Sequence, residues 1–431
     1  MIPRYTRKNI SNIWTDENKF KIWTEIECLI AQKLSLNGTI PKNSYQEIKK
    51  RAKFNVKEIN KIEKETKHDV LAYIQNVSKY IGKSSKYFHY GVTSSDIIDT
   101  AFSIQLKQSC EIIIKEINIL LKVIKNKSLK HKKTIMIGRS HGIHAEPITF
   151  GLKLATFYTE FQRHLKRLKN ARDEISICAI SGPVGTYNTI NPNVEKYVAK
   201  KLKLKPESIS TQIIPRDRHA MFFSTIGLLA SSIEHMATEI RHLQRTEVSE
   251  VEEFFQKKQK GSSSMPHKRN PILSENLTGI ARYIRSAVVP AMENITLWHE
   301  RDISHSSVER IIAPDVTIAT DFALSRLTNV IKNLIVYPNN MKKNLEKLEG
   351  IHKSQKILLS LIKKNVSRNE AYLIVQSASK KAIFHDMKFE KVLNENKKFK
   401  KYISKNELKK IFSTKEELKH IDKIFKVVFK N

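Results

Sequence analysis

The sequence predicts an all-α protein built on a bundle of long helices. Three observations carry that expectation. Apolar residues recur at helical spacing through a series of long stretches between Ile97 and Leu348. No alternating apolar–polar run of any length is found; the one β candidate is Ile177–Asn188, interrupted by Ser181-Gly182-Pro183-Val184-Gly185-Thr186. The 431 residues include only 12 glycines and 12 prolines against 40% hydrophobic residues, so a packed core is feasible and low complexity is not the theme.

In chain order, residues 1–15 are irregular, with Pro3, Arg4 and Tyr5 near the start. Phe20, Trp23, Ile26 and Ile30 share one face of a helix expected over 16–36, started by Asp16 and Glu17 and stopped by Asn37-Gly38. Shorter helices are expected over 43–52, 55–66 and 69–81. Past Thr93-Ser94-Ser95-Asp96 the long rods begin: 97–131, 148–178, 216–255, 272–301 and 315–348. Their stripes are broad, as in Ile112-Ile113-Ile114, and bury against more than one neighbour in a bundle. One chain with five such rods leaves apolar faces over, which implies oligomerisation. Lysine-rich helices over 354–364, 367–385 and 414–428 read as a separate small domain. The expected division is an N-terminal helical domain (1–93), a central long-helix domain (94–342) and a C-terminal helical domain (343–431).

The net charge of +34 suggests a polyanion partner when taken alone. Lysine, however, is spread along the whole chain beside abundant Ile and Asn, with no separate basic arm, so a compositional origin is favoured and nucleic acid is not expected as a partner. A positive field still attracts small anionic substrates. Cys28, Cys110 and Cys178 are far apart and form no CxxC pair, which fits a reducing cytoplasm and suggests no disulfide framework or zinc site. No signal-like N-terminus and no apolar run of about 18 residues are found, so no membrane span is expected.

The chemistry-bearing residues gather at helix junctions. His68 lies in Lys67-His68-Asp69, His89 just before Thr93-Ser94-Ser95-Asp96, and His141 in Gly138-Arg139-Ser140-His141-Gly142-Ile143-His144. The pair His141-x-x-His144 has i,i+3 spacing, contains Gly142 and encloses no acid, so it lacks the HExxH geometry and no metal site is expected. Neither a GxxxxGK[ST] loop nor a GxGxxG turn is present, and no cofactor is expected. Phosphate can instead be held by side chains: Arg301, Ser306 and Arg310 share one polar segment, and Arg4 with Tyr5 offers another such group. The stretch Lys260–Pro271 breaks helicity between two helices and carries three hydroxyls, an imidazole, three cations and an amide.

That stretch, Gly261-Ser262-Ser263-Ser264-Met265-Pro266-His267-Lys268-Arg269-Asn270-Pro271, resembles the signature loop of the fumarase/aspartase superfamily, GSSxMPxKxNP. Within the superfamily the chain is similar to the adenylosuccinate lyase family along essentially its whole length. The Arg-Tyr start, Lys67-His68-Asp69, Thr93-Ser94-Ser95-Asp96, Gly138-Arg139-Ser140-His141-Gly142, His267-Lys268-Arg269 and the Arg301–Arg310 segment carry the likeness. Ser140, where Thr is usual, and Ser264, where Ala or Thr is usual, depart from the pattern.

The resemblance implies β-elimination of fumarate from adenylosuccinate to give AMP, and from the succinylated aminoimidazole carboxamide ribotide (SAICAR) in purine synthesis. It implies His141 as general acid on the departing nitrogen and Ser262 as general base on the Cβ proton. Lys268 and Asn270 would hold the aci-carboxylate, Glu275 would orient His141, and His68 and His89 would line the substrate site. Thr93, Ser94, Gln212 and Ser263 would hold the carboxylates or nearby polar groups. Arg4, Tyr5, Arg301, Ser306 and Arg310 would hold the ribose phosphate and nucleotide, and Lys67 and Asp69 flank His68 in the same motif. It further implies a homotetramer whose sites are assembled from three subunits around a core of about twenty helices. Two other readings stay open: another lyase of the superfamily, acting on argininosuccinate, which has no phosphate for Arg301 and Arg310; and a basic nucleic-acid-binding protein on an inactive lyase fold.

Overall fold

The computed structural model describes residues 1–255, 264–413 and 418–430. It is all-α in class, with long helices over Ser94–Lys130, Phe150–Ile175, Asp217–Gln244 and Ser304–Asn333. The chain divides into two compact units. One comprises residues 1–119, 163–234 and 277–326; the other comprises 120–162, 235–276 and 327–431.

In the first unit, the Asp16–Leu36 helix begins where Thr15 accepts a hydrogen bond from the Asn18 N–H. It ends at Gly38, whose φ of +76° is available to glycine at little cost. Its buried face presents Phe20, Trp23, Ile26, Ile30 and Leu34. The Phe20 ring stacks on Tyr73 from the Asp69–Ile81 helix at 5.6 Å, and Trp23 meets the same tyrosine edge-on at 5.3 Å. Burying each such side chain stabilises the fold by roughly 1.5–3 kcal/mol, so this ring cluster ties the two helices together. The helices Lys42–Arg51, Val56–Thr66 and Asp69–Ile81 match their expected spans to within a residue.

The second unit holds a C-terminal core in which Ile357, Leu361, Ile374, Phe389 and Phe399 are buried together. The helices Ser354–Ile362 and Arg368–Phe384 agree with expectation; of the third, expected over 414–428, residues 414–417 lie outside the described residues and a helix runs over Ile421–Phe429.

Three differences from the sequence reading matter. Ile135–Ser140 and Ile143–Thr149 form an antiparallel hairpin in the junction between two expected rods, where no element was expected, whereas in the expected β stretch only Ile177–Cys178 pair, with Lys205–Pro206. The rod expected over 272–301 stops at Ser286 and continues as Val288–Glu293. The rod expected from Asp315 starts at Ser304, with Pro314 inside it, and ends at Asn333, before a separate helix over Pro338–Glu346. The early start follows from Asp302, whose carboxylate accepts from the Ser304 N–H at 2.8 Å and caps the helix. Among the described residues, no helix is long and apolar enough to cross a membrane.

Candidate active site

Seven of the predicted positions line one cleft of about 500 Å³ in the first unit: Lys67, His68, Asp69, Ser94, Arg301, Ser306 and Arg310. Local structure explains how they converge. Lys67 ends the Val56–Thr66 helix in the left-handed region, at φ 54°. His68 then caps the next helix, its Nδ1 accepting from the Leu71 N–H at 3.3 Å. That bond leaves Nε2 as the protonated ring nitrogen in the neutral form. The Ser304–Asn333 helix places Ser306 and Arg310 one turn apart on one face. Arg310 Nε donates to Ser306 Oγ at 3.3 Å, and its Nη2 donates to Asp69 Oδ2 at 2.6 Å. Burial opposes charge on Asp69, but the Arg310 bond and charge hold its carboxyl below the usual carboxylate range. An arginine and a neighbouring hydroxyl side by side are fitted to an anionic oxygen cluster.

The Thr93-Ser94 turn is fixed from below by Asp96, which is buried. Its carboxylate accepts from the backbone N–H groups of Thr93 (2.8 Å), Ser181 (3.0 Å) and Gly182 (3.3 Å). Burial outweighs these donors and lifts its pKa to about 6. His89 sits at φ 59° with Nδ1 2.6 Å from Oε1 of buried Glu27. Gln212 does not line the cleft; its Oε1 accepts from Arg301 Nη1 at 3.0 Å. Arg4 is exposed on a short 3-10 turn, Pro3–Tyr5, and Tyr5 packs its ring 5.0 Å from Phe322.

Of the remaining predicted residues, His141, Lys268, Asn270 and Glu275 belong to the second unit. His141 and Gly142 form the two-residue tip of the hairpin, at φ 55° and 78°, the signature of a type I′ turn. The general-acid candidate therefore projects from a tight turn and is exposed. Two residues back, Arg139 donates through Nη1 and Nη2 to the fully buried carboxylate of Glu250, at 3.0 and 2.8 Å. Asn344 Nδ2 donates to that carboxylate too, at 2.9 Å, which anchors the hairpin strand.

Ser262 and Ser263 lie outside the described residues. Where the loop rejoins described chain, Lys268 is exposed in a turn closed by its N–H to the Met265 carbonyl at 3.0 Å. Asn270 is half-buried, and Glu275 is exposed in the first turn of the Ile272–Ser286 helix. Buried Glu253 caps that helix, accepting from the N–H groups of Leu273 (3.1 Å) and Ser274 (2.7 Å). Among the described residues no cluster of His, Cys, Asp and Glu is arranged to hold a metal ion.

Sequence reasoning passed over Asp96, Glu27, Glu250 and Glu253, and a buried set formed by Asp99, Arg216, His305 and Glu309. Asp96 stands in a quoted motif, and His305 and Glu309 stand i,i+4 within the quoted Arg301–Arg310 segment. Glu27 and Arg216 carried no sequence signal, because their partners are remote.

A family model described as "Lyase" matches residues 3–286, and one described as "Adenylosuccinate lyase C-terminus" matches residues 350–428. Adenylosuccinate lyase of Bacillus subtilis (strain 168) is 50% identical over 393 residues, 91% of each chain. The enzyme of the same name from Streptococcus mutans is 49% identical over the same share. In fold the chain is similar to a fumarate lyase from Mesorhizobium sp. BNC1, with a TM-score of 0.90 over 99% of each chain at 22% identity. It is also similar to β-carboxy-cis,cis-muconate cycloisomerase from Acinetobacter calcoaceticus sp. ADP1, with a TM-score of 0.88 at 22% identity, covering 99% of this chain and 98% of that one. With half its residues identical to those relatives over nine-tenths of either chain, and a lyase model covering most of its length, this chain belongs to the adenylosuccinate lyase family.

Proposed function

We propose that this carbon–nitrogen lyase of purine biosynthesis cleaves adenylosuccinate to AMP and fumarate, and SAICAR in the same way, with the nucleotide phosphate held in the cleft of Arg301, Ser306 and Arg310. The observation that carries the substrate assignment is this cleft, where Arg301, Arg310 and the Ser306 hydroxyl stand beside Lys67 and His68. Argininosuccinate offers no phosphate to such a cleft.

In the proposed reaction His141 donates a proton to the departing nitrogen while Ser262 removes a proton from Cβ. Histidine suits the acid role near neutral pH. Serine is a weak base, so its alkoxide needs a cation and dry surroundings. Lys268 is the cation in the same loop, and Asn270 adds a donor for the charge that spreads onto the adjacent carboxylate. Glu275 orients His141. His68 and His89 line the site, and Thr93, Ser94 and Ser263 hold the carboxylates. Arg4 and Tyr5 belong to the nucleotide end. Proton removal and return are both assigned to side chains, so the scheme calls for no cofactor.

We assign the active species as a homotetramer with shared sites. Support comes from large apolar side chains left on helical or flanking surfaces, among them Trp298, Ile303 and Ile311, which are 78%, 70% and 62% exposed. The three cysteines are unpaired thiols, which fits the proposed cytoplasmic setting. The test is an assay of the purified chain on adenylosuccinate, SAICAR and argininosuccinate, reading fumarate release. Turnover of the first two is expected; cleavage of argininosuccinate alone would overturn the assignment.

A further inference from the structure

The cleft wall continues into a buried set of charges that the proposed chemistry does not use. Arg216, with a side chain 1% exposed, is clamped by two carboxylates. Its Nη1 and Nη2 donate to Asp99 at 2.6 and 2.9 Å. Its Nε and Nη2 donate to Glu309 at 2.9 and 3.1 Å. One buried cation therefore faces two buried anions, and a net negative charge in such surroundings is costly unless another cation answers it. His219 does not supply it: burial first, then Arg216, pushes its pKa down to about 4, and neither ring nitrogen has a hydrogen-bond partner among the described residues.

A further side chain reaches this set from the cleft side. His305 is buried, with Nδ1 3.0 Å from Glu309 Oε2, and Arg301 Nε donates to His305 Nε2 at 3.4 Å. Arg216 Nη2 also lies 3.1 Å from His305 Nδ1. Nε2 accepts from Arg301, while Nδ1 faces both Glu309 and Arg216. Arg301 is thereby held at two points, by His305 behind and by Gln212 Oε1 at its Nη1. Asp99, Arg301, His305 and Glu309 all line the same cleft.

We propose that His305 is a positioning residue for the phosphate end of the substrate, aiming the Arg301 guanidinium through Nε2 while Glu309, Arg216 and Asp99 fix the ring. The inference rests on the reading that Arg301 holds the substrate phosphate. The part assigned to the ring is to keep the fork of Arg301 in the orientation that bidentate phosphate binding requires. A fixed fork lowers the ordering cost of binding, so its loss weakens binding more than it slows the chemical step.

The test uses the full chain with His305→Asn, His305→Gln and Arg301→Lys. It reads kcat and KM for adenylosuccinate, and inhibition by inorganic phosphate and by fumarate. The Asn side chain keeps a donor near Nδ1 for Glu309 but cannot reach Arg301; the Gln side chain places an acceptor near Nε2. His305→Asn is expected to raise KM about tenfold or more, with kcat falling less than about threefold. Phosphate inhibition should weaken by the same factor and fumarate inhibition should stay as it was, which general damage to the site would not produce. His305→Gln should recover most of the lost affinity, and it serves if the Asn variant does not fold. Unchanged KM and phosphate inhibition in His305→Asn, with Arg301→Lys strongly impaired, overturns the proposal while leaving the phosphate assignment intact. Equal weakening by phosphate and fumarate overturns it too. Unchanged KM and phosphate inhibition in Arg301→Lys removes the phosphate assignment itself, and the inference with it.

Discussion

His89 and Glu27 show what a single pair of side chains does in this protein. Burial opposes a charge on the imidazole, but the Glu27 bond at 2.6 Å, the Glu27 charge and then Asp96 raise its pKa above the usual histidine value. A histidine whose pKa is raised on folding contributes stability that is fully present below the unfolded value of about 6.5. That contribution is lost as pH rises through the folded value. Glu27→Gln should therefore destabilise the chain by about 1–3 kcal/mol near pH 6, where a charged pair becomes a weaker contact, and by less near pH 9. Thermal melts of both proteins at the two pH values check this, and a difference independent of pH would refute it. At this scale the sequence was legible where functional residues are neighbours. Lys67, His68 and Asp69 could be read together, as could Ser306 and Arg310 one helical turn apart. Glu27 meets His89 from 62 positions away and Arg216 meets Asp99 from 117 positions away, and no local pattern announces such pairs.

Among the elements, the hairpin over Ile135–Thr149 is the one the sequence hid. Ile135-Met136-Ile137 is a short apolar run, and such runs do not distinguish strand from buried helix. The following segment contains Pro147 and leads straight into a strongly helical pattern. The long rods were legible because their apolar stripes extend over many turns and outweigh local ambiguity. Two glycines in this part of the chain should respond differently to alanine. At Gly142 a Cβ meets nothing within 4 Å, but φ is +78°, so Gly142→Ala should cost about 1 kcal/mol and lower turnover by re-aiming His141. At Gly151 a Cβ would stand 2.4 Å from the Ser128 carbonyl oxygen and 2.7 Å from the Lys132 nitrogen, both backbone atoms that cannot swing aside. Gly151→Ala should lower stability by more than about 3 kcal/mol, seen as a large loss of Tm beside the small loss in Gly142→Ala. Similar losses in both would contradict this account.

For the whole molecule, the division of the predicted chemistry is the main fact. Lys67, His68, Asp69, Ser94, Arg301, Ser306 and Arg310 line the cleft of the first unit, while His141, Lys268, Asn270 and Glu275 belong to the second. Sites shared between copies predict complementation. Ser262→Ala and His141→Gln should each be inactive, with turnover lowered more than about a thousandfold, while still binding substrate. Mixing them under conditions that exchange subunits should restore part of the activity, since some sites then receive an intact acid and an intact base. Assays of the mixture after verified exchange decide it; no recovery would exclude sharing between subunits. One feature of the Ser304–Asn333 helix lies at the cleft itself. Pro314 has no N–H to give the Arg310 carbonyl, so the helix lacks one backbone bond where Arg310 and Pro314 line the cleft. In mechanical terms the segment from Ser304 to Ala313 is a cantilever with a thinned root, set on a long stiff post.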